Sequence, residues 1–344
     1  MARGSKTSAL SGLFAAFALL AFSAFFAGAA RAEVPPQNLS GADLKPLAES
    51  FRAGLAKCGA KSGAVCAAAR GRIIFGADFS EGSGRVYPLG NTSQPLLSLM
   101  LAAMESDGKL AADWRVARHC SYIKPADSPA TFDDLLSMRA GFEPYADSLV
   151  PPDADAFEFF GIAAQLPRAA NGFFARSRVG AALAGYAMAY VSDKKSRNLK
   201  KAFAACAKKY LFEPLEFSSP RFASFDKPDF PATAFALTVP DCAKWLECET
   251  ADSPKIATRA ALDSRRNPRD SDCKFGGGWT SSTECGVSFR VSADYFEGCA
   301  NVVAVFPAER VAVAFFAASR DAKGAAKLCA DSLSQFVKIL SNAQ

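Results

Sequence analysis

The chain has 344 residues, 50% of them hydrophobic and 22% charged, enough to bury a sizeable core in one large domain or in two lobes sharing an interface. That composition excludes a disordered or fibrous protein. A formal net charge of +6, with no clustered basic stripe interleaved with aromatics, argues against a nucleic-acid partner.

Residues 1–32 read as an export leader. Arg3 and Lys6 form a short basic start, "SGLFAAFALLAFSAFFAGAA" is continuously apolar, and Ala30-Arg31-Ala32 fits a small-x-small cleavage site with Glu33 as the mature start. A permanent anchor is the alternative, because the apolar run is nearly long enough to span a bilayer. The abrupt end at Ala32 favours cleavage, which predicts a periplasmic or secreted protein with no membrane attachment afterwards. Removing three bases (Arg3, Lys6, Arg31) and no acids takes the net +6 to +3. The leader contains no cysteine, so it is not a lipoprotein signal.

All ten cysteines follow the leader. An even count behind an export signal predicts disulfides in an oxidising compartment. The order allows Cys242–Cys248 and Cys273–Cys285 as local pairs and Cys58 with Cys329, although sequence alone does not fix connectivity. There is no C-x-x-C pair, and the single histidine, His119, stands beside Cys120. No metal site or other cofactor is expected.

In chain order, Leu44, Leu47, Phe51 and Leu55 have helical spacing, with Ser40 near the start. "GAVCAAARGRIIFGADF" reads as two strands turning at Arg70-Gly71. A long apolar helix follows, with Pro95 in its first turn, Leu96, Leu97, Met100, Leu101 and Met104 on one face, and Gly108 at its stop. "PATFDDLLSMRAGF" reads as a short helix capped by Thr131. "RSRVGAALAGYAMAYVSDKK" reads as a small-residue apolar helix; another runs from Leu199 to Leu211, and "TVPDCAKWLECE" is a further short one. From Thr250 to Cys273 the chain turns polar and basic and reads as an exposed connection. "FGGGWTS", "CGVSFRVSADYF", "NVVAVFPAE" and "RVAVAFFAAS" read as strands, and an amphipathic helix closes the chain.

Strands near both ends with helices between them predict an α+β fold. One antiparallel sheet is built from both chain ends and flanked by the terminal helices, with an inserted helical lobe. The expected division is 1–32 leader and 33–344 domain. Within that domain the sheet lobe holds 33–90 and 270–344, and the helical lobe 91–269. A cleft between the lobes is the natural place for a site.

Six motifs arrive in order: "GNTSQP…ESDGKL", "YIKP…TFDDLLSMRAG", "ANGFFARSRVGAALAG", "FEPLEF", "TVPDCAKW" and "GGGW" before the closing strands. This series resembles the serine beta-lactamase-related family, in which the first motif reads G-S-x-S-K-P…E-x-G-K-L. That family includes class C beta-lactamases, low-molecular-weight penicillin-binding proteins and 6-aminohexanoate-dimer-hydrolase-like proteins. The resemblance covers Val86 to Phe316. The resemblance implies a beta-lactamase/transpeptidase-like fold and, for active members, acyl transfer. A serine attacks, a lysine three residues on and a tyrosine handle the proton, and backbone N–H groups hold the oxyanion.

Carried onto this chain, each chemical position is replaced. Asn91 stands at the serine and Gln94 at the lysine. Arg176 and Arg178 flank Ser177 where the family has Y-x-N, and Asp294-Tyr295 stands where the sheet-strand motif falls. An amide cannot form an acyl ester, and arginine stays protonated. Thr92 and Ser93 lie one and two residues on, each rotated by about 100° per residue from the family direction. Other Ser-x-x-Lys spacings, such as Ser106–Lys109 and Ser192–Lys195, fall at helix ends or in polar connections. His119 reads as a surface residue. The expectation is a pseudoenzyme that binds a small anionic or peptide, peptidoglycan-like ligand through Asn91, Gln94, Arg178, Asp294 and Tyr295, or that binds an envelope protein partner. Arginines suit carboxylates, although Arg176 and Arg178 could equally pair with acids such as Asp294. The alternatives are an active serine-type hydrolase with a different catalytic set, and a structural envelope module.

Overall fold

A computed structural model describes residues 39–81, 84–121, 128–143, 149–165, 172, 174–223, 225–268 and 274–342. The leader read over 1–32 lies outside the described residues. In chain order the elements are α1 (Gly41–Lys57), β1 (Ser62–Ala69), β2 (Arg72–Asp78), β3 (Tyr87–Pro88), α2 (Gln94–Ser106), α3 (Phe132–Leu136), α4 (Ala156–Gln165), α5 (Arg178–Ser192), α6 (Leu199–Ala207), β4 (Arg221–Phe222), β5 (Phe235–Leu237), α7 (Val239–Thr250), α8 (Arg259–Arg266), β6 (Phe275–Gly276), β7 (Trp279–Glu284), β8 (Val287–Phe296), β9 (Cys299–Phe306), β10 (Val311–Ala318) and α9 (Ala322–Asn342). Two compact units divide the chain. Of the described residues, a sheet unit holds those up to Gly90, Leu237–Ala251 and those from Ser281 on; a helical unit holds those within Asn91–Ala236 and Asp252–Thr280.

The fold is α+β, with seven antiparallel strands in the order β2-β1-β10-β9-β8-β7-β6. The first long strand pairs with the last, in register from Ser62↔Ala318 to Ala69↔Val311, so the sheet is built from both chain ends as the sequence predicts. Strand side chains alternate between faces. Val65, Ala67, Val302, Ala304, Val313 and Phe315 face Leu44, Leu47 and Phe51 of α1 and Leu333, Phe336 and Val337 of α9. The Phe51 and Phe315 rings are 5.5 Å apart between centroids. The opposite face meets α7. The Cβ position of Gly76, the cross-strand partner of Cys66, lies 3.9 Å from Val239 Cγ1. At the other end of α7, Thr250 Oγ1 accepts from Gly71 N at 3.1 Å, and its carbonyl accepts from Arg310 at 3.1 Å. Burial on both faces is why β9 and β10 read as continuous apolar runs.

Local chemistry places the helix ends. Asp43 accepts from the Ser40 backbone N at 2.8 Å and from its hydroxyl at 2.7 Å at the head of α1. Thr131 and Asp134 exchange the same kind of bonds at the head of α3. In the helical unit, α5 is buried from Val179 to Ala189 because its small residues admit close neighbours. Gly180 lies against the Leu135 carbonyl and Gly185 against Pro231.

The basic stretch after Thr250 is not wholly the exposed connection that its composition predicts. Thr258 caps α8, accepting from Ala261 N at 3.2 Å. Leu262, Arg265 and Arg266 are buried. Burying arginine requires partners, and these are Glu105 for Arg265 and Asp263 for Arg266.

Among the described residues no disulfide is formed. Cys242 and Cys248 sit six residues apart within α7. In a helix that puts them roughly 9 Å apart along the axis and on different faces, beyond disulfide reach. Cys58 and Cys329 share a buried neighbourhood with Cys299 without bonding. Cys273 lies outside the described residues, so the Cys273–Cys285 pair does too. No described helix is long and apolar enough to cross a membrane.

Two outcomes follow from this core. Phe315→Ala should cost roughly 3–5 kcal/mol in urea unfolding, whereas Ile73→Ala, at an exposed position, should change stability by less than about 0.5 kcal/mol. Burial pushes the Cys206 and Cys299 thiols from the ordinary 9.0 up to about 12. Their folded pKa is raised, so the stability they hold is complete below the unfolded pKa and is lost as pH rises through the folded one. The urea midpoint of the reduced protein should therefore fall above pH 9.0, and Cys206→Ala or Cys299→Ala should flatten that fall.

Candidate functional site

The head of α2 carries the site positions read from the sequence. A 3-10 turn, Gly90–Ser93, leads into the helix, and Pro95 occupies its first turn. Asn91 is half-buried and Gln94 nearly fully buried. Three residues separate them, so they share a helix face, and Gln94 Nε2 donates to Asn91 Oδ1 at 3.5 Å. The two adjacent hydroxyls are both buried. Ser93 is buried and its Oγ accepts from Phe235 N at 3.0 Å. Thr92 is fully buried, and no described group hydrogen-bonds its hydroxyl.

The glycine-rich "GGGW" turn packs on this helix head. Gly278 has φ 86°, and a Cβ there would strike Pro95 N and the Gln94 carbonyl carbon. Only glycine permits both that backbone conformation and that approach.

The arginines do different things. Ser177 caps α5, accepting from Val179 N at 3.2 Å. Arg178, beside it, forms an ion pair with Asp229 at 3.2 Å; the sequence had offered Asp294 as the acid. Arg176 is exposed, its guanidinium 5.9 Å from the centroid of the Phe275 ring. His119 stacks on Trp114 at 4.3 Å. Its pKa is lowered by desolvation first and by Lys194 and Arg118 second.

In the sheet unit, Asp294 and Tyr295 point to opposite faces of β8. Tyr295 packs with the α1/α9 core face and donates to the Ser319 carbonyl at 2.8 Å. Asp294 is buried and lies opposite Asn301 on β9. Asn301, which the sequence reading did not single out, donates to the carbonyls of Pro88 at 3.3 Å and Leu89 at 3.1 Å. The signal was there: one fully buried polar residue inside "CANVVAVF" needs a partner. Asp294 closes on the next residue, Gly90, whose φ is 57° and whose Cβ position is filled by the Asp294 carboxylate and Phe296. The pair thus braces the segment that leads into Asn91.

A separate cavity of about 410 Å³ in the helical unit is lined by Glu105, Ala111, Ala112, Asp113, Asp133, Ser264 and Arg265. Glu105 is near the far end of α2 from Gln94, roughly 16 Å along the helix. Among the described residues no group of His, Cys, Asp and Glu could hold a metal ion.

Sequence comparison matches the family profile described as Beta-lactamase over residues 47–335. The chain belongs to the beta-lactamase family. Among curated proteins no relative matches it by sequence. Solved structures of the same fold include an octameric penicillin-binding protein homologue from Pyrococcus abyssi, with TM-score 0.68 and 15% identity over 86% of this chain and 78% of that one. A class C beta lactamase from Rhodobacter sphaeroides has TM-score 0.66 and 16% identity over 85% of this chain and 99% of that one. A D-stereospecific amidohydrolase from Streptomyces has TM-score 0.63 and 14% identity over 86% and 98%. At these identities the likeness shows the fold. In this member of the family, amides occupy the head of α2.

Gly90→Ala should destabilise the chain by roughly 2–4 kcal/mol, because the substitution adds backbone strain to a collision. Chemical denaturation measures it, and a loss below about 0.5 kcal/mol would mean that the brace yields freely.

Proposed function

We propose that this chain is an exported pseudoenzyme of the beta-lactamase family. It binds a small anionic or peptide ligand, peptidoglycan-like in chemistry, or an envelope protein partner, without turnover. The observation that carries the proposal is the Gln94–Asn91 amide pair at the head of α2. Acyl transfer needs a nucleophile that can form an ester and a neighbour that can take its proton. A carboxamide does neither at ordinary pH. The flanking Ser93 hydroxyl is held by Phe235 N. Arg178 stays charged and is paired with Asp229, which leaves it a poor proton acceptor. Groups that act together in catalysis are lost together here. What remains is a polar helix head with neutral donors and acceptors, suited to hydrogen-bonding a ligand amide or carboxylate. Arg176, two residues before Arg178, is exposed and adds positive charge.

Export rests on residues 1–32. It requires the purified native protein to begin at Glu33, which N-terminal sequencing reads directly.

The second reading, an active hydrolase with a different catalytic set, is favoured by the enzymes among the proteins of similar fold. Incubation with a fluorescent penicillin and with a fluorophosphonate probe separates the two. The pseudoenzyme should show no covalent label by gel or intact mass, while a class C beta-lactamase labels in parallel. A stable adduct mapping to any residue of the helical unit would sink the proposal.

A further inference from the structure

Several thiols lie buried in the sheet unit, and two of them meet across one packed interface. Cys66 is on β1 and Cys242 on α7, and both are 0% exposed. Their neighbours Val65 and Ala67 belong to the core face covered by α1 and α9. Alternation along the strand therefore turns Cys66 to the other face. Gly76, its cross-strand partner, is on that same face and has no side chain, so α7 comes down close to the sheet there. The residue above Gly76 is Val239. Cys242 lies three residues further along α7, on the same helix face and about one turn on. The Cys66 and Cys242 side chains stand within hydrogen-bonding reach of each other. Four other buried thiols have other neighbours. Cys206 lies 3.7 Å from Met104 Sδ, and Cys58, Cys299 and Cys329 group under α9.

We propose that Cys66 and Cys242 form a disulfide that ties α7 to the central sheet, in place of the helix-internal Cys242–Cys248 pair that the geometry forbids. The reaction is thiol–disulfide exchange with a small-molecule or protein disulfide as oxidant. One cysteine thiolate attacks the oxidant's S–S bond, giving a mixed disulfide and releasing one oxidant thiol. The second cysteine thiolate then displaces the other oxidant sulfur. One S–S bond forms and one breaks, two electrons pass to the oxidant, and the two cysteine protons end on its thiols. Both sulfurs are closed off from solvent once α7 is seated, so exchange takes place while the chain folds. The bond then fixes a helix whose sequence lies far from either neighbouring strand.

The test is refolding of the reduced, denatured chain in a glutathione redox buffer. Alkylation and non-reducing peptide mapping follow. The expected product is a linked pair of peptides carrying Cys66 and Cys242, lighter by two hydrogens than the reduced peptides and separated by reductant. Recovery of both as alkylated thiols from folded protein overturns the proposal, and so does linkage of either to a different cysteine. Thermal unfolding gives a second readout. Cys66→Ala, Cys242→Ala and the double variant should each lower Tm by a similar amount, of order 5 °C, because any of them removes the same bond. Additive losses contradict it.

Discussion

The ladder between β1 and β10 is the constraint on which the rest of the sheet unit depends. Eight residues from near the start of the chain pair with eight near its end. That pairing puts α1 and α9 on the same face, where both bury their apolar stripes. It also leaves a second apolar face that the terminal helices cannot reach. A buried sheet face must be covered, and the chain meets the requirement with α7, a helix from the middle of the sequence.

The helical unit solves a different problem. Its longest buried elements, α2 and α5, are apolar almost all round, so they pack through small residues and glycine contacts. Two of the polar groups there hold backbone in place. Ser93 ties the head of α2 to the backbone of Phe235, and Ser177 caps α5. Asn91 and Gln94 face each other at the head of α2. Gly90 precedes this helix head and Gly278 packs against it, both with positive φ.

Much of this was legible in the sequence because it is local. Leu44, Leu47 and Phe51 reveal a helix face by spacing, Thr131 reveals a cap, and Asn91 and Gln94 reveal a shared face. Distant pairings were not legible. Arg265 looked like a solvated base because its partner, Glu105, lies 160 residues away. Arg178 found Asp229, not Asp294, for the same reason. Tyr295 was grouped with Asp294 by adjacency, though a strand's period of two sends neighbours to opposite faces. Cysteine geometry was hidden until α7 had a place on the sheet.

The position of β10 near the chain's end also sets a timetable. A chain that leaves the ribosome or a translocation channel from its N-terminus presents β1 and α1 first, with no central strand to receive them. The helical unit's residues emerge in the interval, and their many near-neighbour contacts let them fold without waiting. The sheet must wait for Val311–Ala318. Until then the edge of β1 that β10 will cover stays unpaired and open to wrong pairing.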